Sequence, residues 1–115
     1  MMRITTSGRH MDLSEKLKSY TNEKAAKLER YYDRAQSAEV VYDREAGTHS
    51  CEVIVTADHH TTFIAKEAND DPYAALDAAL KDIERQLTRH KERFRNRKHS
   101  GGQEQEPLAS PGDEG

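Results

Sequence analysis

The chain has 115 residues, a formal net charge of -3, and 34% hydrophobic against 34% charged content, which suffices for one domain with a modest core. No apolar run approaches the roughly 20 residues that span a bilayer, and the opening Met-Met-Arg-Ile-Thr-Thr lacks the apolar centre of a secretory signal, so a cytoplasmic protein is expected. The lone Cys51 excludes an internal disulfide and a cysteine-based zinc site.

Arg3 to Ser7 is Thr-rich and ends at Gly8, predicting a short first strand. From Leu13 the period changes. Leu13, Leu17, Tyr20, Ala25, Leu28 and Tyr32 recur at helical intervals and predict a helix running to about Arg30. Ser14 or Asp12 can cap it, and Asp12 with Glu15 has capping-box spacing. Ala38, Val40 and Tyr42 then alternate with Glu39, Val41 and Asp43 until Glu45-Ala46-Gly47, a strand entering a turn. In the next strand Cys51, Val53, Val55 and Ala57 share one face, so Cys51 is expected in the core. Asp58-His59-His60 reads as a hairpin tip, and Thr61 to Ala68 as a fourth strand.

Asn69-Asp70-Asp71-Pro72 is a helix start: Asp71 can accept from unpaired amides, and proline at the first helical position sacrifices no hydrogen bond. The helix has room to reach about Arg97. Tyr73, Leu76, Leu80, Ile83, Leu87, His90 and Phe94 form a continuous apolar seam that must pack on the sheet, with His90 as a packing histidine. Lys81, Arg85, Arg89 and Arg93 fall on successive turns of the opposite side. The helix exceeds what a four-stranded sheet can cover, so its basic end is expected to project. From His99 the chain turns to Gly, Gln, Glu and Pro with one large apolar residue, Leu108, and is expected to form a disordered acidic tail over 99–115 behind a folded domain of residues 1–98.

The net charge misleads about partners. Residues 1–98 hold all 18 Lys and Arg against 17 acids, a net of +1, while the tail carries four acids. Between Arg85 and Lys98 stand seven cations, namely Arg85, Arg89, Lys91, Arg93, Arg95, Arg97 and Lys98, against Glu92 alone. A solvated helix face normally mixes signs at i, i+4. Five of these seven are Arg, whose planar fork suits phosphate oxygens, so the edge points to a polyanion, most simply nucleic acid. Lys16, Lys24, Lys27 and Arg30 on the first helix are interleaved with Glu15, Glu23 and Glu29 and say little by themselves.

Catalytic readings find no support. Adjacent residues on a strand point to opposite faces, so His59-His60, even with His49 or His10 as helpers, makes a poor metal site. Asp70-Asp71 is explained by capping, and no glycine-rich phosphate loop, nucleophile elbow or metal signature is present. Neither an enzyme nor a cofactor is expected. The elements make an α+β fold, β-α-β-β-β-α, in which a four-stranded sheet carries both helices on one face, similar to a double-stranded RNA-binding domain. Such domains read backbone shape and phosphate. His49 to Val55 offers none of the sheet aromatics that stack bases in an RNA-recognition motif.

Two stretches carry a resemblance: Lys24-Ala25-Ala26-Lys27-Leu28-Glu29-Arg30-Tyr31-Tyr32-Asp33-Arg34, and Tyr73-Ala74-Ala75-Leu76-Asp77 continuing to Arg85-Gln86-Leu87-Thr88-Arg89-His90-Lys91-Glu92-Arg93. Both resemble the bacterial ribosome hibernation-promoting factor family, also called ribosome-associated translation inhibitors or sigma-54 modulation proteins, over about residues 2–98. The resemblance implies a domain that binds the small ribosomal subunit in the messenger and transfer RNA channel and silences translation in stationary or stressed cells. It carries an RNA-facing role onto Lys24, Lys27, Arg30, Arg85, Arg89, Lys91 and Arg93, and a helix-start motif onto Tyr73 and Asp77. Lys81 and Arg95 join the candidate set from the helix row and the basic cluster.

Pro72 departs from the Met common in the family, a change that firms the helix start. Long members add a dimerising domain after a linker, so ending at Gly115 implies a short form or a long form cut in its linker. Some short members work with a separate ribosome modulation factor to pair ribosomes, and others have an acidic tail that opposes pairing; the four tail acids leave the subtype open. The rival expectation is a protein-interaction regulator of a transcription (sigma) factor. Neither reading calls for a membrane or a small-molecule substrate.

Overall fold

Alternation in three long segments and one short N-terminal run builds a single sheet. In the computed structural model, residues 2–58 and 61–100 are described, with side chains of the last helix as far as Arg93. The His59-His60 pair, the side chains of Phe94, Arg95, Arg97 and Lys98, and the expected tail from Gly101 onward lie outside the described residues. The elements are β1 (Arg3–Arg9), α1 (Glu15–Ala26), a 3-10 turn (Lys27–Arg30), β2 (Ala35–Glu45), β3 (Thr48–Ala57), β4 (Thr62–Asn69) and α2 (Pro72–Ser100). The expected order β-α-β-β-β-α is therefore observed.

The sheet order is β1-β2-β3-β4, with β1 parallel to β2 and the remaining pairs antiparallel. A parallel neighbour needs a crossover connection, and α1 is that crossover. Register places Thr6, Val40, Val53 and Ala65 in one row across the sheet, and Ile4, Ala38, Val55 and Phe63 in the next. These rows face the helices. Ala38, Val40, Tyr42, Cys51, Val53, Val55, Ala57, Phe63 and Ala65 are buried beneath Leu17, Leu28, Leu76, Leu80, Ile83 and Leu87. Glu39, Lys66 and Ile64 point the other way and are exposed.

Each helix begins where its cap allows. Ser14, rather than Asp12, caps α1: its Oγ accepts from the Leu17 amide at 3.0 Å. Asp71 Oδ1 accepts from the Tyr73 amide at 2.9 Å with Pro72 as the first helical residue. The first helix stops short of Arg30. After Ala26 the chain tightens, and the Tyr31 amide donates to Leu28 O at 3.0 Å, the i to i−3 bond of a 3-10 turn. That tightening leaves Leu28 buried and turns Tyr31 outward, 37% exposed, while Tyr32 packs inward.

Glycine is needed at two places. A Cβ at Gly8 would lie 2.8 Å from the Met11 carbonyl oxygen and 3.2 Å from Leu13, because the chain leaving β1 folds back over it. Glu45 pairs with Thr48 across a two-residue hairpin loop whose residues, Ala46 (φ 53°) and Gly47 (φ 82°), both have positive φ.

Candidate nucleic-acid interface

The apolar seam of α2 fixes which side of that helix is free. Ala75, Leu76, Ala79, Leu80, Ile83 and Leu87 are buried against β3 and β4, so Lys81, Arg85, Arg89 and Arg93, on the far side, are all exposed. The row expected from spacing is present in space. The histidine at the end of the seam packs as expected: the His90 ring meets Tyr32 and Phe63 edge-on at centroid distances of 5.4 and 5.3 Å. Beyond Leu87, no residue with a described side chain is buried, and Arg89, Lys91 and Arg93 are exposed.

The row is not wholly without acid partners. Arg85 Nη2 lies 3.4 Å from Asp82 Oδ1, one turn earlier. An exposed pair of that length contributes at most about 1 kcal/mol and leaves the guanidinium free to exchange partners. Lys91 is exposed but stands two positions from Arg89 and from Arg93, about 200° round the helix, and so leaves the row.

An open groove of about 470 Å³ runs along the outer side of α2. It is lined by the basic row Lys81, Arg85 and Arg89, by a neighbouring row Glu84, Thr88 and Glu92 on the same helix, and by Tyr31 from the turn after α1. Sequence reasoning singled out the cations but neither Tyr31 nor Thr88. The available signal was the Tyr31-Tyr32 doublet itself: two large rings about 100° apart on a helical turn are hard to seat together in so small a core.

The first-helix cations lie outside that groove lining. Lys27 and Arg30 are exposed on the 3-10 turn. Lys24 is half-buried, with Nζ 5.4 Å from the centroid of the Tyr20 ring. Tyr20 is fixed in turn by α2: its hydroxyl donates to Asp77 Oδ1 and Oδ2 at 2.8 and 3.0 Å, and its ring meets Tyr73 edge-on at 5.0 Å. Tyr73 and Asp77 thus clamp α1 to the start of α2 and set the seat of Lys24. The hydrogen bond to Asp77, then burial, then the Asp77 charge push the Tyr20 phenol up to about 12.

Burial pushes the Cys51 thiol up to about 12 and removes it from thiolate chemistry. Among the described residues no group of three or more His, Cys, Asp or Glu could hold a metal ion, and no helix is long and apolar enough to cross a membrane.

Comparison with known proteins adds to this geometry. The family model described as "Sigma 54 modulation protein / S30EA ribosomal protein" matches residues 4–95. The chain is similar to the ribosome hibernation promoting factor of Azotobacter vinelandii, 32% identical over 110 residues that cover 96% of this chain and 98% of that one. It is also similar to the ribosome hibernation promoting factor of Escherichia coli strain K12, 31% identical over 94 residues, or 82% and 98% of the two chains. Among solved structures, the N-terminal domain of Thermus thermophilus Protein Y superposes with a TM-score of 0.70 at 27% identity, covering 78% of this chain and 99% of that domain.

Proposed function

The chain belongs to the Sigma 54 modulation protein / S30EA ribosomal protein family, and we propose from this that it is a ribosome-associated hibernation factor. It binds the small subunit in the channel used by messenger and transfer RNA, and so silences and preserves ribosomes in stationary or stressed cells. The observation that carries the reading is the exposed row Lys81, Arg85, Arg89 and Arg93, set off the core by the seam beneath it. Those cations, with Lys24, Lys27, Arg30, Lys91 and Arg95, neutralise ribosomal RNA phosphates, and the folded body blocks the channel. The named relatives support the hibernation role. Inhibition here is steric and needs no cofactor.

A triple Arg85, Arg89, Arg93→Ala variant tests the assignment. All three side chains are exposed, so each change should alter stability by about 0.5 kcal/mol or less. Removing three phosphate contacts should lower the slope of log affinity against log salt by about three and abolish co-sedimentation with small subunits at moderate salt. Wild-type ribosome binding by a folded triple variant contradicts the assignment. Nuclease-resistant capture of a transcription factor without ribosomal proteins would favour the sigma-factor regulator instead.

A further inference from the structure

Five of the residues lining the groove beside α2 are charged, and their signs are mixed. Lys81, Arg85 and Arg89 form one row along α2 and Glu84, Thr88 and Glu92 the row next to it, with Tyr31 as the lining residue from outside that helix. A continuous phosphate backbone laid into this groove would meet two carboxylates, so phosphates are favoured only along the cationic row. The space between Thr88 and Tyr31 suits an uncharged, flat group. Tyr31 supplies the surface for one: it is 37% exposed, and among the described residues no aromatic ring pairs with it, whereas Tyr20, Tyr32 and Tyr73 are each engaged by another ring. No ring contact among the described residues occupies Tyr31. The groove is shallow and open, with about 470 Å³ of room beside the ring, which suits one face of a base rather than an enclosed ligand.

We propose that this groove takes one unpaired nucleotide of an RNA strand, its base stacked on Tyr31 and its flanking phosphates held by Arg85 and Arg89. The inference rests on the RNA-binding reading and adds to it a preference for unpaired over duplex RNA. Unpaired bases are commonly stacked on aromatic side chains, and stacking tolerates any base because each has a π face. The position is unexpected from the sheet, which has no exposed aromatic row; here the platform stands on the turn after α1 and the phosphate contacts on α2. A strand fits better than a free nucleotide, since only a strand carries a phosphate on either side of the base to meet two arginines one helical turn apart.

The test is fluorescence anisotropy of a labelled eight-nucleotide single strand and of a matched duplex with the full chain, comparing wild type with Tyr31→Leu, Tyr31→Phe and a double Arg85, Arg89→Ala variant. Thermal unfolding of each variant checks the fold. Tyr31→Leu should lower the ratio of single-strand to duplex affinity about tenfold or more, with its salt slope unchanged because no phosphate contact is lost. Tyr31→Phe, which keeps the ring, should restore the ratio. An unchanged ratio in Tyr31→Leu, or failure of the phenyl ring to restore it, overturns the stacking site while leaving the basic-row reading standing. Binding of neither RNA by wild type, or wild-type binding by the double arginine variant, would overturn both together.

Discussion

Thr21 is a polar residue that α1 sends into the core, and it is fully buried. Its hydroxyl donates to Leu17 O at 2.7 Å, which commits its proton, so the Tyr42 hydroxyl at 2.7 Å is the donor in the bond between them. Burial is the main reason the Tyr42 phenol is held well above its usual range. The bond ties α1 to β2. Tyr42→Phe removes donor and proton together and should cost about 0.5–1.5 kcal/mol, whereas Thr21→Val strands a buried phenol beside Cys51, a weak acceptor, and should cost about 1–3 kcal/mol. Chemical denaturation of both variants checks the order; equal costs would mean that the phenol finds another acceptor. Tyr20 gives a pH signature. Its folded pKa of about 12 lies above the ordinary tyrosine value of 10.0, so its contribution is complete below pH 10 and is lost as pH rises through 12. In an alkaline absorbance titration, Asp77→Asn should bring one late-ionising tyrosine back toward the ordinary range and flatten the loss of stability between those values.

At the scale of elements, the two helices are anchored unequally. The helix α2 lays six buried side chains on β3 and β4, while α1 buries Leu17, Thr21 and Ala25 and depends on its links to Tyr42 and Asp77. The edge strand β4 is also guarded by α2, since Gln86 Nε2 donates to the Ile64 carbonyl at 3.0 Å and occupies an acceptor that another strand could use. The β2–β3 hairpin holds a correctable flaw. Ala46 sits at φ 53° beside Gly47, and an L residue without a helpful side chain is strained there. Ala46→Asn creates the Asn-Gly pair favoured in such loops and should stabilise the protein by about 0.5–1 kcal/mol in thermal unfolding; destabilisation would mean that the loop differs from this two-residue form. The sequence made much of this legible. Period-2 alternation from Ala38 and from Cys51 placed two strands and their buried faces, and the seam from Tyr73 placed α2, because large apolar residues signal burial directly. The 3-10 turn at Lys27–Arg30 and the burial of Thr21 were not legible, because both depend on partners distant in sequence. The Tyr31-Tyr32 doublet signalled that one ring would turn outward, but which of the two was not legible.

At the scale of the whole molecule, a net charge of -3 coexists with an exposed cationic row, because the row is on one helix face and the acids are spread. Segregation of this kind makes association depend on local field rather than on overall sign. The exposed basic row was legible as far as Arg93; the mixed-charge groove beside it was not, since that required Tyr31 to be placed beside α2. The most direct test of the account is sucrose-gradient sedimentation of purified ribosomes with the protein at two salt concentrations, followed by detection of the protein in each fraction. The account predicts co-migration with small subunits and whole ribosomes at low salt and release at high salt, as neutralised phosphates recover their counterions; protein that stays at the top of the gradient at both concentrations would contradict it.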